Sequence, residues 1–173
     1  MANRKKHASP LTSDQKIDTI INALENYNLG DIIKSRKENM MIASFILCGC
    51  FIDHVSRYRY YTLGGGDRAK WREFVDKYFP AEYKGMGEDL YFSLRSSLVH
   101  NYSTDGKYSI GSGAPENNNQ PYDGKTTYLD IDGFIKDVSF AWYKYRDELR
   151  GSDELKKIAI DHYDMYPIMW QLK

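Results

Sequence analysis

The chain has 173 residues, with 24 Lys+Arg against 24 Asp+Glu, a formal net charge of zero, 42% hydrophobic and 14% aromatic residues. This is the size and core-forming content of one globular domain, which excludes wholesale disorder and a disulfide-stapled miniature. Neutrality excludes a broadly cationic surface, so a nucleic-acid partner would have to be held on a local basic patch.

Residues 1–12 form a polar, basic lead-in whose Arg4-Lys5-Lys6-His7 run reads as a solvated, flexible tail. No apolar stretch follows those charges, so a secretion signal is not expected and a cytoplasmic location is. Ser13 or Asp14 can cap a first helix through Ile17, Ile20, Ile21 and Leu24, which ends near Asn28-Leu29-Gly30, and Asp31 opens the next element. Residues 33–60 predict one long central helix, interrupted by no Gly or Pro except Gly49 and apolar nearly all round in its middle. Its uncharged run, 40–52, falls short of the roughly 18 residues of a membrane span, so no membrane partner is expected. Cys48 and Cys50 lie about 200° apart on such a helix and read as buried, reduced thiols rather than a bonded pair.

Gly64-Gly65-Gly66 ends the central helix, and Asp67 caps a third through Trp71, Phe74, Val75 and Phe79, with Pro80 after the stop. No Lys-Ser/Thr follows the three glycines, so they do not make a Walker-type phosphate loop. A fourth helix spans 86–101. Between Gly106 and Lys125 the glycines, prolines and the run Asn117-Asn118-Asn119-Gln120 have loop composition, flanked by alternating segments at 107–110 and 126–131. These predict a small β-hairpin closing a long loop. A fifth helix runs from Asp132 through Phe134, Ile135, Val138, Trp142, Tyr145 and Leu149 to Gly151, and a sixth runs from Ser152 to Pro167. The predicted fold is therefore all-α: one helical bundle over 13–173, with the hairpin inserted between the fourth and fifth helices.

The fourth helix carries the chemistry. An α-helical projection puts Leu90, Leu94, Leu98 and Tyr91 on the face that packs into the bundle, and Asp89, Ser93, Ser96 and His100 roughly opposite, a row of small polar residues that lets another backbone come close. Arg95 and His100 lie about 140° apart in that projection, so their convergence requires a distorted helix end, the reach of the arginine, or a second copy of the chain across a two-fold axis. The residues alone also allow a plainer reading, in which Arg95 pairs with a carboxylate and His100 meets the dipole at a helix C-terminus.

The string Arg95-Ser-Ser-Leu-Val-His100-Asn-Tyr102 resembles the Arg-x4-His-x-Tyr motif of the HEPN superfamily, late in a helix of an all-helical domain. Many members carry Asn, Asp or His directly after the arginine, where this chain has Ser96. The resemblance implies an RNA endonuclease that uses no metal or other cofactor and works as a homodimer, with Arg95 and His100 as catalytic groups and Ser96, Asn101 and Tyr102 as supporting ones. It also implies a toxin or phage-defence role, with Tyr102 as the acceptor for nucleotide modification by a cognate antitoxin protein. A non-catalytic HEPN-like module that binds a nucleotide or a protein is the alternative.

Asp53 on the central helix can face the motif and orient the imidazole; a satisfied polar pair with His54 at a core edge is the alternative. Arg57, Arg59, Arg68, Lys70 and Arg72 stand against Asp67 alone, interleaved with Tyr58, Tyr60, Tyr61 and Trp71. That is the composition of a surface that tracks an RNA backbone and stacks bases, with Tyr60 among the stacking groups. Equally, Arg57 and Arg59 can complement the helix dipole while the tyrosines cover core edges. His7, His54, His100 and His162 are too widely spaced to suggest a metal motif.

Overall fold

A computed structural model describes residues 10–168 of the chain. The basic run at 4–7 lies outside the described residues. The first helix, α1 (Ser13–Ala23), starts one residue earlier than predicted. Its cap is Thr12, whose hydroxyl accepts from Gln15 N while the Gln15 side-chain oxygen accepts from Thr12 N, a reciprocal capping box worth about 1 kcal/mol.

Gly30 does not end this helix. The chain passes through a π-helical stretch, Leu24–Leu29, into α2 (Gly30–Lys37), and Gly30 keeps right-handed helical dihedrals. The expected helix over 33–60 is instead broken between Lys37 and Met41. There Asn39 takes a left-handed φ of 57°, the conformation that usually calls for glycine at a helix end, and α3 (Met41–Arg59) begins anew.

α3 is the axis of the fold, packing against α2, α4 (Gly66–Tyr78), α7 (Ile131–Gly151), α8 (Asp153–Met165), the π-helical stretch already described and a second one, Tyr91–Ser97. Its buried Phe45, Cys48, Phe51, Ile52, Val55 and Tyr58 meet an aromatic core that includes Trp71, Phe74, Phe134, Trp142 and Tyr145. Cys48 is buried as expected, whereas Cys50 is exposed, because residues two apart on a helix point to opposite sides. The helices α7 and α8 are capped by Asp130 and Ser152, whose side chains accept from backbone N–H groups of the first turn. Among the described residues, no helix is long and apolar enough to cross a membrane.

A small sheet lies between α6 (Leu98–Asn101) and α7. It comprises β1 (Tyr108–Gly111), β2 (Gln120–Pro121) and β3 (Thr127–Asp130) in the order β1-β3-β2. The two predicted segments do pair, but in parallel, Tyr108 opposite Thr127 and Gly111 opposite Asp130, so they are not the arms of a hairpin. The long connection makes this geometry accessible, since a parallel pair needs a crossover of a dozen or so residues. The antiparallel partner of β3 is β2, inside the predicted loop, turned by Asp123, whose carboxylate accepts from Lys125 N and Thr126 N.

The run Asn117 to Gln120 is thus structured. Asn118 Nδ2 donates to Tyr83 Oη (2.9 Å) and Asp137 Oδ2 (2.8 Å), and its Oδ1 accepts from Asp130 N (3.0 Å). Glycine at 133 lets this loop reach α7, because a Cβ there would lie 2.5 Å from the Asn118 Cβ.

Candidate functional site

The motif lies on one continuous helical segment made of α5 (Gly87–Leu90), a π-helical stretch (Tyr91–Ser97) and α6. Leu90, Leu94 and Leu98 are buried, as the projection predicts, and half-buried Tyr91 meets Trp71 edge to face at 5.6 Å. Ser93 does not lie on the open face with Ser96 and His100. It is fully buried, because i→i+5 bonding widens the turn and changes which positions face inward. A close backbone approach is found at Leu94, with α3 of the same chain: a Cβ on Gly49 would stand 3.4 Å from the Leu94 carbonyl oxygen. From Phe92 onward, the outer surface of the segment consists of Phe92, Arg95, Ser96, Val99, His100 and Asn101, each exposed or half-buried.

Arg95 is held from across the bundle. Its Nε donates to Asp53 Oδ2 at 3.2 Å, and Arg57 Nη2 donates to the same oxygen at 3.1 Å. Burial opposes the Arg95 charge, but the hydrogen bond and negative charge of Asp53 outweigh it and hold the guanidinium above its ordinary value. Asp53 does face the motif helix as expected, yet its partners are the two arginines and not the imidazole. Its Oδ1 is buried without a hydrogen-bond partner among the described residues. His54, next in sequence, turns away toward Asn28, whose Nδ2 lies 3.3 Å from His54 Nδ1.

His100 is exposed in the last helical turn. Tyr102 closes the helix with a left-handed φ of 53° and is 76% exposed, an uncommon conformation for an aromatic residue. The α-helical projection overstates the separation of Arg95 and His100, because the π turn includes Arg95 and each of its residues advances by less than 100°. Ser97, one residue from Ser96, is buried and donates to Asp105.

The basic segment finds its counter-charges largely outside itself. Arg57 also bridges to Asp67 (2.8 Å), Lys70 lies 3.6 Å from the same carboxylate, Arg72 meets Glu73 (2.9 Å), and Arg68 meets Glu88 (3.4 Å). Arg59 donates to Tyr78 Oη and lies over the Tyr60 ring at 4.7 Å. The charges along 57–72 leave out Asp53, one turn earlier on α3, and Glu73, the next residue, as well as Glu88 and Glu148, which the fold brings near.

Phe92 is a surface residue that the motif does not reveal, although the sequence carries a signal for it: its α-helical projection falls about 40° from Ser96, an aromatic ring on the face opposite the leucines. It is 40% exposed, and the Arg68 guanidinium lies over its ring at 5.6 Å.

What these observations define is a mainly helical domain with a three-stranded sheet, and on it a surface that joins an anchored arginine to an exposed histidine. Comparisons with family models, curated proteins and solved structures found no match.

Proposed function

We propose that this chain is a HEPN-type RNA endonuclease that needs no metal ion, acting as a homodimer in which the motif helices of two copies border one cleft. The observation that carries the reading is the unequal treatment of the two motif residues: Arg95 is fixed by Asp53, whereas His100 is exposed in the last turn of the same helical segment. A fixed cation and an accessible imidazole are what cleavage by the adjacent 2′-hydroxyl requires. His100 takes the 2′-hydroxyl proton, Arg95 stabilises the charge gathering on the phosphate, and an imidazolium from the second copy protonates the departing 5′-oxygen. Arginine suits its role because its charge is permanent and its donors are planar.

In this reading Ser96 and Asn101 lie beside the phosphate, and Asp53 acts through Arg95 as a positioning residue. Tyr102, at 76% exposure, is reachable as the acceptor of a nucleotide transferred by an antitoxin partner, which fits a toxin or phage-defence role. Arg57, Arg59, Tyr60, Arg68, Lys70 and Arg72 are the candidate RNA contacts, although the pairing of the cations with carboxylates and a tyrosine hydroxyl favours a second reading. In that reading the domain is a HEPN-like module that binds a nucleotide or a protein and does not cleave.

The test is incubation of the purified protein with RNA in excess chelator, beside the Arg95→Ala and His100→Ala variants. The endonuclease reading expects cleavage by the parent and a loss of about 10²-fold or more in each variant. Equal cleavage by either variant overturns the site. An inert parent that still binds nucleotide or a protein partner selects the module.

A further inference from the structure

We infer that Phe92 and Arg68 together form a base-stacking subsite next to Arg95, so that one unpaired base of a bound RNA rests on this pair while the adjoining phosphate meets the arginine. The inference rests on the RNA-binding part of the reading above and assigns a place to a residue that the motif does not include. Three observations support it.

First, Phe92 lies three residues before Arg95 and four before Ser96, on the outer surface of the same helical segment, and it is 40% exposed although it is large and apolar. Packing takes only part of the ring: Phe92 meets half-buried Tyr91 edge to face at 5.9 Å, and it is Tyr91 that goes on to contact Trp71. Second, Arg68 reaches it from α4 and lies over the ring at 5.6 Å, so an aromatic surface and a guanidinium plane adjoin. Both kinds of surface stack nucleobases, and base stacking tolerates any sequence because every base has a π face. Third, Arg68 is 54% exposed and its ion pair with Glu88, at 3.4 Å, is a surface contact of little energy, so RNA can recruit the guanidinium at small cost. Arg57, by contrast, is half-buried and shared between Asp53 and Asp67, so it is recruited at greater cost. A phosphate at Arg95 and a base at Phe92 are neighbouring parts of one nucleotide strand, which matches the close spacing of the two residues along the segment.

The experiment measures binding separately from cleavage. A fluorescently labelled oligoribonucleotide carrying 2′-O-methyl groups, which cannot be cleaved by 2′-hydroxyl attack, is titrated with the parent, Phe92→Ala, Phe92→Trp and Phe140→Ala by fluorescence anisotropy. The titrations are repeated with a set of oligonucleotides each lacking one base. The expected result is a roughly tenfold loss of affinity for Phe92→Ala, recovery in Phe92→Trp, and no loss in Phe140→Ala, which removes an exposed phenylalanine of α7. One abasic position should erase the difference between parent and Phe92→Ala, a coupling that a merely structural role does not produce.

Affinity unchanged in Phe92→Ala, or a loss that no abasic position erases, overturns the subsite. So does a change in sedimentation of Phe92→Ala without any change in RNA affinity, which would make the ring a contact between protein copies. Failure of the parent to bind the oligonucleotide ends both proposals. Coupling at Phe92 with no cleavage of unmodified RNA ends only the endonuclease, and cleavage without coupling ends only the subsite.

Discussion

Asp53 and Arg95, forty-two residues apart in the chain, join the central helix to the motif segment through a hydrogen bond of 3.2 Å. Asp53 accepts Arg57 on the same oxygen, so one carboxylate sets the position of two guanidinium groups. Replacement by Asn removes the charge while keeping the shape. Asp53→Asn is expected to lower stability by about 1–3 kcal/mol, measured by urea denaturation, because hydrogen bonds to a charged group are replaced by weaker ones. A denaturation midpoint equal to that of the parent would show that the carboxylate does not anchor the segment.

Gly49 marks a close approach of α3 to the motif segment, where an added Cβ would stand 3.4 Å from the Leu94 oxygen and 3.7 Å from Arg95 N. An alanine just fits that gap and adds helix propensity, so Gly49→Ala should change stability little. Gly49→Leu must push the motif segment outward, at a cost of about 1–3 kcal/mol, and should lower RNA cleavage through displacement of Arg95. Paired thermal melts and cleavage assays on the two variants check this; a leucine variant as stable as the parent contradicts the close contact.

Asn118 ties the crossover loop to two other elements, since its side chain serves Tyr83, Asp137 and the backbone of Asp130. Asn118→Ala should cost about 1–3 kcal/mol, because Tyr83 and Asp137 are left with a missing partner in a half-buried place. Gly133→Ala strikes the same contact from α7, so the double variant should be less destabilised than the sum of the two singles. Strict additivity in denaturant titrations would mean that the two positions act separately.

His54 and His162 are both held below their ordinary value, chiefly by burial, and His162 down to about 4. The two rings pack around Tyr58, at 5.3 Å and 4.7 Å between centroids, with Tyr61 and Tyr166 also against His162. Asn28 faces His54; Arg57 and Lys70 repel a proton in this region, and Asp53 and Asp67 attract it. The folded protein therefore keeps these groups neutral while the unfolded chain takes up protons. Stability is present above the ordinary histidine value of 6.5 and is lost as pH falls from there toward 4, by at most about 1.4 kcal/mol per pH unit for each group. Urea midpoints measured across that window for the parent and His162→Gln check the sign, and the variant should show the shallower decline. A slope that His162→Gln leaves unchanged would remove His162 as its source.

Much of the helical framework can be read from side-chain period. Leu90, Leu94 and Leu98 declare a buried stripe, and Ser152 and Pro167 bracket the last helix closely. What stays hidden depends on groups far apart in the chain or on local conformations that composition does not mark. Asn39 ends a helix by adopting a conformation most residues avoid, which a polar residue among polar neighbours does not announce. The partner of β3 is chosen by a loop that Asn118 and Gly133 fasten to α7, and nothing in the alternation of β1 or β3 encodes direction. Within the site, the approach of Asp53 to the motif segment is one of two arrangements the sequence allows, and its choice of Arg95 over His100 is not legible there. The hydrogen bond from Arg95 to Asp53 forms only once α3 and the motif segment are packed. Phe92 is legible only as an aromatic ring on a polar face.

The π-helical stretch Tyr91–Ser97 amounts to an extra residue accommodated without leaving the helix, since each of its bonds spans five positions instead of four. Deleting one residue within it would restore ordinary α-helical bonding. Because the wide turn already absorbs that residue, every later position would keep nearly the same facing relative to Leu90. His100 and Tyr102 would stay where they are opposite Asp53 on α3, so the wide turn decides which side chains of Tyr91–Ser97 face outward and not where the end of the helix points.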